Sequence, residues 1–265
     1  MRPNQYATEK DLEEILTYAE TLRLPCVGLI PELDRFVLRN EESFIGGWPY
    51  WPVEEPYPIA STGGPMIFLA QINFSEMPPL PDYPTTGLLQ IFVDDAHDYC
   101  FGCKFPSFGD DGFRVIYRPA FGGVAQKDFA IFPNIRSALF QLYEQGIRGT
   151  PLTFKTQTML PLHGDWRIEK KLSKFGYPRT SKEFDYFYER MGLDRQIAHY
   201  VGGHPKFVQS DIREVENNDF DRVLLQLGYD NFIMWGDSGE ANFLIKLVDL
   251  KNQNFKNCFF NWDCH

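Results

Sequence analysis

The chain has 265 residues, 43% of them hydrophobic and 23% charged, with 24 Phe and an aromatic share of 16%. That length can bury a sizeable core, as one large domain or two small ones, and the balance excludes a disordered chain. The net charge of −10, with no Lys/Arg run longer than Lys170-Lys171, argues against nucleic acid; it matches either a basic protein partner or a need for solubility alone.

From the polar start, Met1 to Gln5, no signal peptide is expected, and no apolar run is long enough to predict a helix that spans a bilayer. Five cysteines, an odd number, without an export signal point to a reducing compartment. A cytoplasmic location with no membrane contact is therefore expected.

In chain order, Thr8 to Leu22 predicts a helix. Thr8 can cap it, with Asp11 three residues on, and Leu12, Ile15, Leu16, Ala19 and Leu22 share a face before Pro25 closes the segment. Gly46-Gly47-Trp48-Pro49-Tyr50-Trp51-Pro52 predicts an irregular crossing whose aromatics lie on something. Met66–Phe74, Leu88–Val93 and Phe113–Arg118 predict strands, the first two separated by the proline-rich Met77–Pro81. Asn134 caps a predicted helix running to Gln145, stopped by Gly146. Arg148–Arg179 is polar and turn-rich, a connector by composition, and Ser181–Met191 predicts a short helix.

The pattern then returns. Gly202-Gly203-His204-Pro205 echoes Gly46-Gly47-Trp48-Pro49, Leu225-Gln226-Leu227 echoes Ala70-Gln71-Ile72, and Gly239 before Phe243-Leu244-Ile245 echoes Gly87 before Leu89-Gln90-Ile91. Three landmarks in one order at nearly one spacing imply an internal duplication. The expectation is an α+β fold of two pseudo-repeated, largely antiparallel β-sheet units with flanking helices, packed as one compact protein. Residues 1–148 would form the first unit, 149–180 the connector and 181–265 the second.

The same residues carry a family resemblance. Gly46-Gly47-Trp48-Pro49, Phe68–Asn73, Leu80-Pro81, Gly87–Phe92 and Gly112–Tyr117 resemble the first half of the YwqG-like family, bacterial proteins of unknown function. Leu224–Leu227, Trp235–Gly239, Phe243–Ile245 and the ending Asp263-Cys264-His265 resemble its second half. The resemblance implies a cytoplasmic α+β fold and brings no activity, cofactor or catalytic residue with it. Cys100 and Cys103 depart from it.

Each candidate site residue admits a functional and a structural account. Cys100-Phe101-Gly102-Cys103 is a C-x-x-C among Asp94, Asp95 and Asp98, which oppose a reactive thiolate. A zinc site would need two more donors from His97, Cys258, Cys264 or His265; otherwise these are loop cysteines and no cofactor is expected. Gln71 and Gln226 sit at matching places in apolar strands, where a buried amide needs partners. Each either ties down the neighbouring crossing or forms one of a pair of ligand contacts between the halves. Trp235-Gly236-Asp237-Ser238-Gly239 is a turn by composition, with Asp237 either bonding the turn or facing a ligand beside Trp235. Trp48, Tyr50 and Trp51 either stack on a ligand or seal a core edge.

Scattered histidines and the lack of a nucleophile elbow, Walker loop or dinucleotide fingerprint leave no catalytic signature. The expectation leans away from an enzyme. It favours a protein-binding module, one version of which is an antidote-type partner of a basic protein. Alternatives are a small-molecule or carbohydrate binder between the halves near Trp48 and Trp235, and a hydrolase with an acid pair assembled across them.

Overall fold

The computed structural model describes residues 9–35, 37, 39, 41–61, 63–94, 101–102, 112–126, 149–161, 164–174, 197–214, 219–230 and 233–265. They form one ten-stranded sheet, not two sheet units with helical flanks, and this overturns the α+β expectation. The strands are β1 (Leu24–Pro31), β2 (Phe44–Ile45), β3 (Ile67–Asn73), β4 (Leu88–Val93), β5 (Phe113–Arg118), β6 (Thr150–Met159), β7 (His199–Gly202), β8 (Arg222–Gly228), β9 (Glu240–Ile245) and β10 (Cys258–Asp263). Their order is β10-β9-β8-β7-β1-β6-β2-β3-β4-β5, with antiparallel pairing throughout. The sheet curls into a nearly closed barrel. At its two ends Phe113 of β5 meets Phe260 of β10, ring centroids 5.5 Å apart. Only three α-helices are described: α1 (Glu9–Thr21), α2 (Trp166–Lys174) and the short α3 (Leu247–Lys251).

The barrel is mostly β because its central strands are apolar on both faces. All residues of β3, β4 and β9 are buried. One face supplies a continuous core that includes Val27, Ile72, Leu89, Ile91, Val201, Leu225, Leu227 and Phe243. On the opposite face of the β7–β10 half, Cys26, Met159, Tyr200, Phe207, Val223, Leu244 and Phe259 form a second cluster. The two helices at one side pack together: Lys171 of α2 pairs with Glu14 of α1 at 3.3 Å and lies 4.6 Å over the Tyr18 ring.

Two four-stranded meanders, β2-β3-β4-β5 and β7-β8-β9-β10, run in the same order on either side of the β1–β6 pair. Each carries a bulge at the matching place, between Phe68 and Ala70 in β3 and between Val223 and Leu225 in β8. The bulge turns the following glutamine, Gln71 or Gln226, onto the outer face. Residues 148–179, expected as a connector, contain β6, the partner of β1 along its whole length, and α2. The predicted helices at 134–145 and 181–191, and the capping Thr8, lie outside the described residues.

Candidate functional site

Two amide clamps organise the outer face. Gly46 and Gly47 take φ of 71° and 70°, and Gly202 and Gly203 take 78° and 68°. Two successive left-handed residues require glycine, and they swing the chain from the strand onto the outside of the sheet. Gln71 Oε1 then accepts Tyr50 N at 3.0 Å, while Gln90 Nε2 donates to Tyr50 O at 2.7 Å. In the other meander Gln226 Oε1 accepts Lys206 N at 3.2 Å, while Asn242 Nδ2 donates to Lys206 O at 2.7 Å. Residue after proline is thus gripped at both backbone groups, twice over, by buried amides on adjacent strands.

The clamps differ in charge. In the first, Arg118 donates from Nε to Gln90 Oε1 at 2.9 Å, holds Glu55 through both Nη atoms at 2.9 and 2.8 Å, and lies 4.6 Å over the Trp51 ring. In the second, Phe207 and Asp211 stand at the spacing of Trp51 and Glu55, and Arg213 serves them from a different place in the chain, 5.7 Å over Phe207. Here Gln226 Nε2 donates to Glu240 Oε2 at 2.8 Å, and Lys206 Nζ pairs with Glu240 Oε1. Burial raises the Glu240 carboxyl, against the pull of Lys206.

Asp165-Trp166-Arg167 and Asp211-Ile212-Arg213 form a twinned ion network. Each aspartate accepts from the backbone N–H and guanidinium of its own arginine, with Nη2 contacts of 2.6 Å in both. Trp166 N donates across to Asp211 at 3.2 Å and Arg213 to Asp165 at 3.3 Å. Burial alone would raise the Asp165 carboxyl, but the Arg167 hydrogen bond and the charges of Arg167 and Arg213 outweigh it and hold it below its usual value. His204 completes the network. Its Nδ1 lies 2.9 Å from Arg167 Nη2 and its Nε2 2.7 Å from Leu22 O. A guanidinium only donates, so Nδ1 is the acceptor and Nε2 carries the proton. Burial, with the Arg167 charge behind it, pushes the imidazole down to about 4.

The sequence-predicted site residues do not converge. Gln71 and Gln226 lie on β3 and β8, five steps apart in the strand order and both facing outward, so one ligand does not bridge them. Trp51 is buried against Tyr57 and Phe92, and half-buried Trp48 packs on the core. Trp235 is fully buried beside Phe101, Phe260 and Trp262. Asp237 is exposed; its carbonyl accepts His265 N at 3.1 Å. Cys100 and Cys103 lie outside the described residues, among which no group of His, Cys, Asp and Glu is placed to hold a metal.

An open groove of about 640 Å³ runs along the seam where the barrel fails to close. One wall is β5, Phe113 to Tyr117; the other is the turn Gln253–Lys256 before β10. Tyr117 and Phe255 meet across its floor at 4.6 Å. Asp94 N donates to Gly112 O at 2.8 Å, which sets the hydrogen-bonding phase: Arg114, Ile116 and Arg118 bond to β4, and Phe113, Val115 and Tyr117 turn their backbone groups away from it. Among the described residues no strand pairs with that edge. The facing turn is stiffened by Asp249, which accepts Asn254 Nδ2 at 2.8 Å and Asn257 Nδ2 at 2.7 Å. Among the described residues no carboxylate or thiol lines the groove. Its chemistry is an unpaired backbone edge, an aromatic floor and two cations, Arg114 and Lys256. Apolar patterning predicted β5 as a strand, but nothing in the sequence marks it as an edge. The twinned Asp-x-Arg is present in the sequence as a repeat, but three residues are too short a signal beside the longer motifs.

These features define an antiparallel β-barrel-like protein, open at one seam, with two clamped crossings. The chain belongs to the family described as Domain of unknown function (DUF1963), whose model matches residues 43–264. No curated protein matches the sequence. No described helix is long and apolar enough to cross a membrane.

Proposed function

We propose that this protein is a non-catalytic binding module that takes an extended polypeptide segment into the seam groove, where the segment adds a strand to β5. The observation that carries this reading is the outward backbone of Phe113, Val115 and Tyr117 along an open groove. Such an edge supplies main-chain hydrogen bonds to any extended chain, and the flanking side chains choose among sequences. Among the described residues the groove holds no paired acid and base and no nucleophile, which favours binding over chemistry. A basic partner, suggested by whole-chain charge, draws no support from this surface, since both charged groups among the described lining residues are cations.

Val115→Pro tests the reading. Proline removes the outward N–H yet is tolerated at an edge position whose N–H faces away from the neighbouring strand. The variant should keep the wild-type melting temperature within a few degrees and lose capture of displayed extended peptides. Undiminished capture by a folded Val115→Pro protein would place binding elsewhere.

The shared strand order, bulge and clamp also lead us to infer that the two meanders descend from one duplicated unit. Within the family, the Phe68–Asn73 and Trp235–Gly239 motifs support a resemblance to the YwqG-like bacterial proteins.

A further inference from the structure

We infer that the groove selects a segment bearing an acidic side chain, seated between Arg114 and Lys256; this rests on the strand-addition reading above. The chain as a whole carries a net charge of −10, yet among the described residues both charged groups lining the groove are cations and neither wall contributes a carboxylate. Arg114 extends from β5 itself, and Lys256 from the turn opposite, so the two approach the channel from both sides. Among the described residues neither takes part in an ion pair. The neighbouring arginine on the outer face of β5, Arg118, is already matched with Glu55.

The geometry also fixes where the acid falls. Arg114 bonds its backbone to β4 and extends to the outer side of the sheet, alternating with Phe113 and Val115, which bury against the core. A strand laid along β5 alternates in the same way. One set of its side chains would lie toward the Tyr117–Phe255 floor and the other on the side of Arg114. The expected segment therefore alternates apolar residues with an Asp or Glu. A carboxylate beside a guanidinium forms charge-assisted, often two-point, hydrogen bonds, and a flexible ammonium adds a second point charge. The turn that presents Lys256 is held by Asp249 and its two asparagines, so the cation is offered from a fixed wall.

The test is a random peptide library displayed against the full-length chain. The enriched segment is then measured beside its Glu→Gln (or Asp→Asn) twin on wild type, on R114Q/K256Q and on V115P. The expected result is that the acidic segment binds wild type about tenfold more tightly than its amide twin, as the loss of a charge-assisted contact implies. On R114Q/K256Q, whose altered side chains are exposed, that preference should vanish while both peptides still bind. V115P should weaken both peptides alike. Equal affinity of the twins on wild type, or enrichment of basic segments, overturns the acidic specificity while leaving strand addition standing. Binding unaffected by V115P, or no enrichment at all, overturns the groove reading and this inference with it.

Discussion

His204 shows how much a single side chain carries in this fold. Its ring joins the end of α1, the start of α2 and the clamped crossing, and only one protonation state fits. A proton on Nδ1 would point at the Arg167 guanidinium, 2.9 Å away. The imidazole is therefore neutral in the folded protein, with a pKa of about 4 against an ordinary 6.5. Between those values the unfolded chain binds the proton that the folded chain refuses, so the stability His204 supports is full above pH 6.5 and is lost as pH falls toward 4. From pH 7 to pH 5 the loss is about 2 kcal/mol for this pKa pair. Glu240 and Asp263, both raised by burial, titrate in the opposite sense and gain stability on acidification. Asp165, held below its ordinary 3.8, acts only in more acidic solution. The clean readout is therefore a difference: H204Q should be less stable than wild type at pH 7, and its denaturation midpoint should fall less from pH 7 to 5. Parallel pH profiles for the two proteins would show that His204 is not the group responsible.

At the scale of elements, the apolar runs of β3, β4, β8 and β9 were visible in the sequence because their burial is nearly complete, and β5 through the alternation of Phe113, Val115 and Tyr117. β6 was not. Thr150–Met159 alternates buried and exposed positions around Thr153, Lys155, Thr156 and Thr158, and that polar face masks a strand central to the sheet. β1 was hidden by its prolines. Pro25 stands just beyond the reach of β7, which pairs only with Cys26 to Leu29, and its carbonyl still accepts Gly203 N at 3.0 Å. Proline at a strand's end costs no ladder bond. The clamps were half legible: an amide in an apolar strand demands partners, and the crossing was the near candidate. Their second arms, Gln90 and Asn242, were not foreseen, because pairing register is not written in one strand alone. Gln71 meets Tyr50 N, Gln90 Nε2 and Glu42 O within 3.0 Å. Q71M keeps the volume and strands those buried groups, at about 1–3 kcal/mol for each one left unsatisfied. The variant should lose about 3 kcal/mol or more in denaturant titrations, and the Tyr50 amide should exchange its hydrogen faster. A loss confined to a few tenths would mean that the crossing is held mainly by its aromatic packing.

For the whole molecule, local repeats suggested two units, whereas closure of the sheet makes one. The repeated motifs record which strands resemble each other; they are silent on β1 and β6, which join the meanders edge to edge. The seam groove was out of reach for the same reason, since an edge exists only once the strand order is known. The core confirms the unity: Tyr83 OH, from the β3–β4 connection, donates to Val223 O of β8 at 2.7 Å, and Phe113 of β5 packs 6.2 Å from Phe243 of β9. Cooperative unfolding should follow, because neither meander can lose its packing without exposing the other's. Phe243 is the place to ask. It is fully buried and stacks on Phe260 at 4.4 Å, in the core common to both meanders. F243A removes a ring from that core and should cost about 3–5 kcal/mol. If the halves share one core, calorimetry should give a single transition in wild type and variant, with the whole transition moved to lower temperature. Two transitions, with only the later one displaced by F243A, would mean that the meanders melt as separate bodies and that the seam is a boundary between domains.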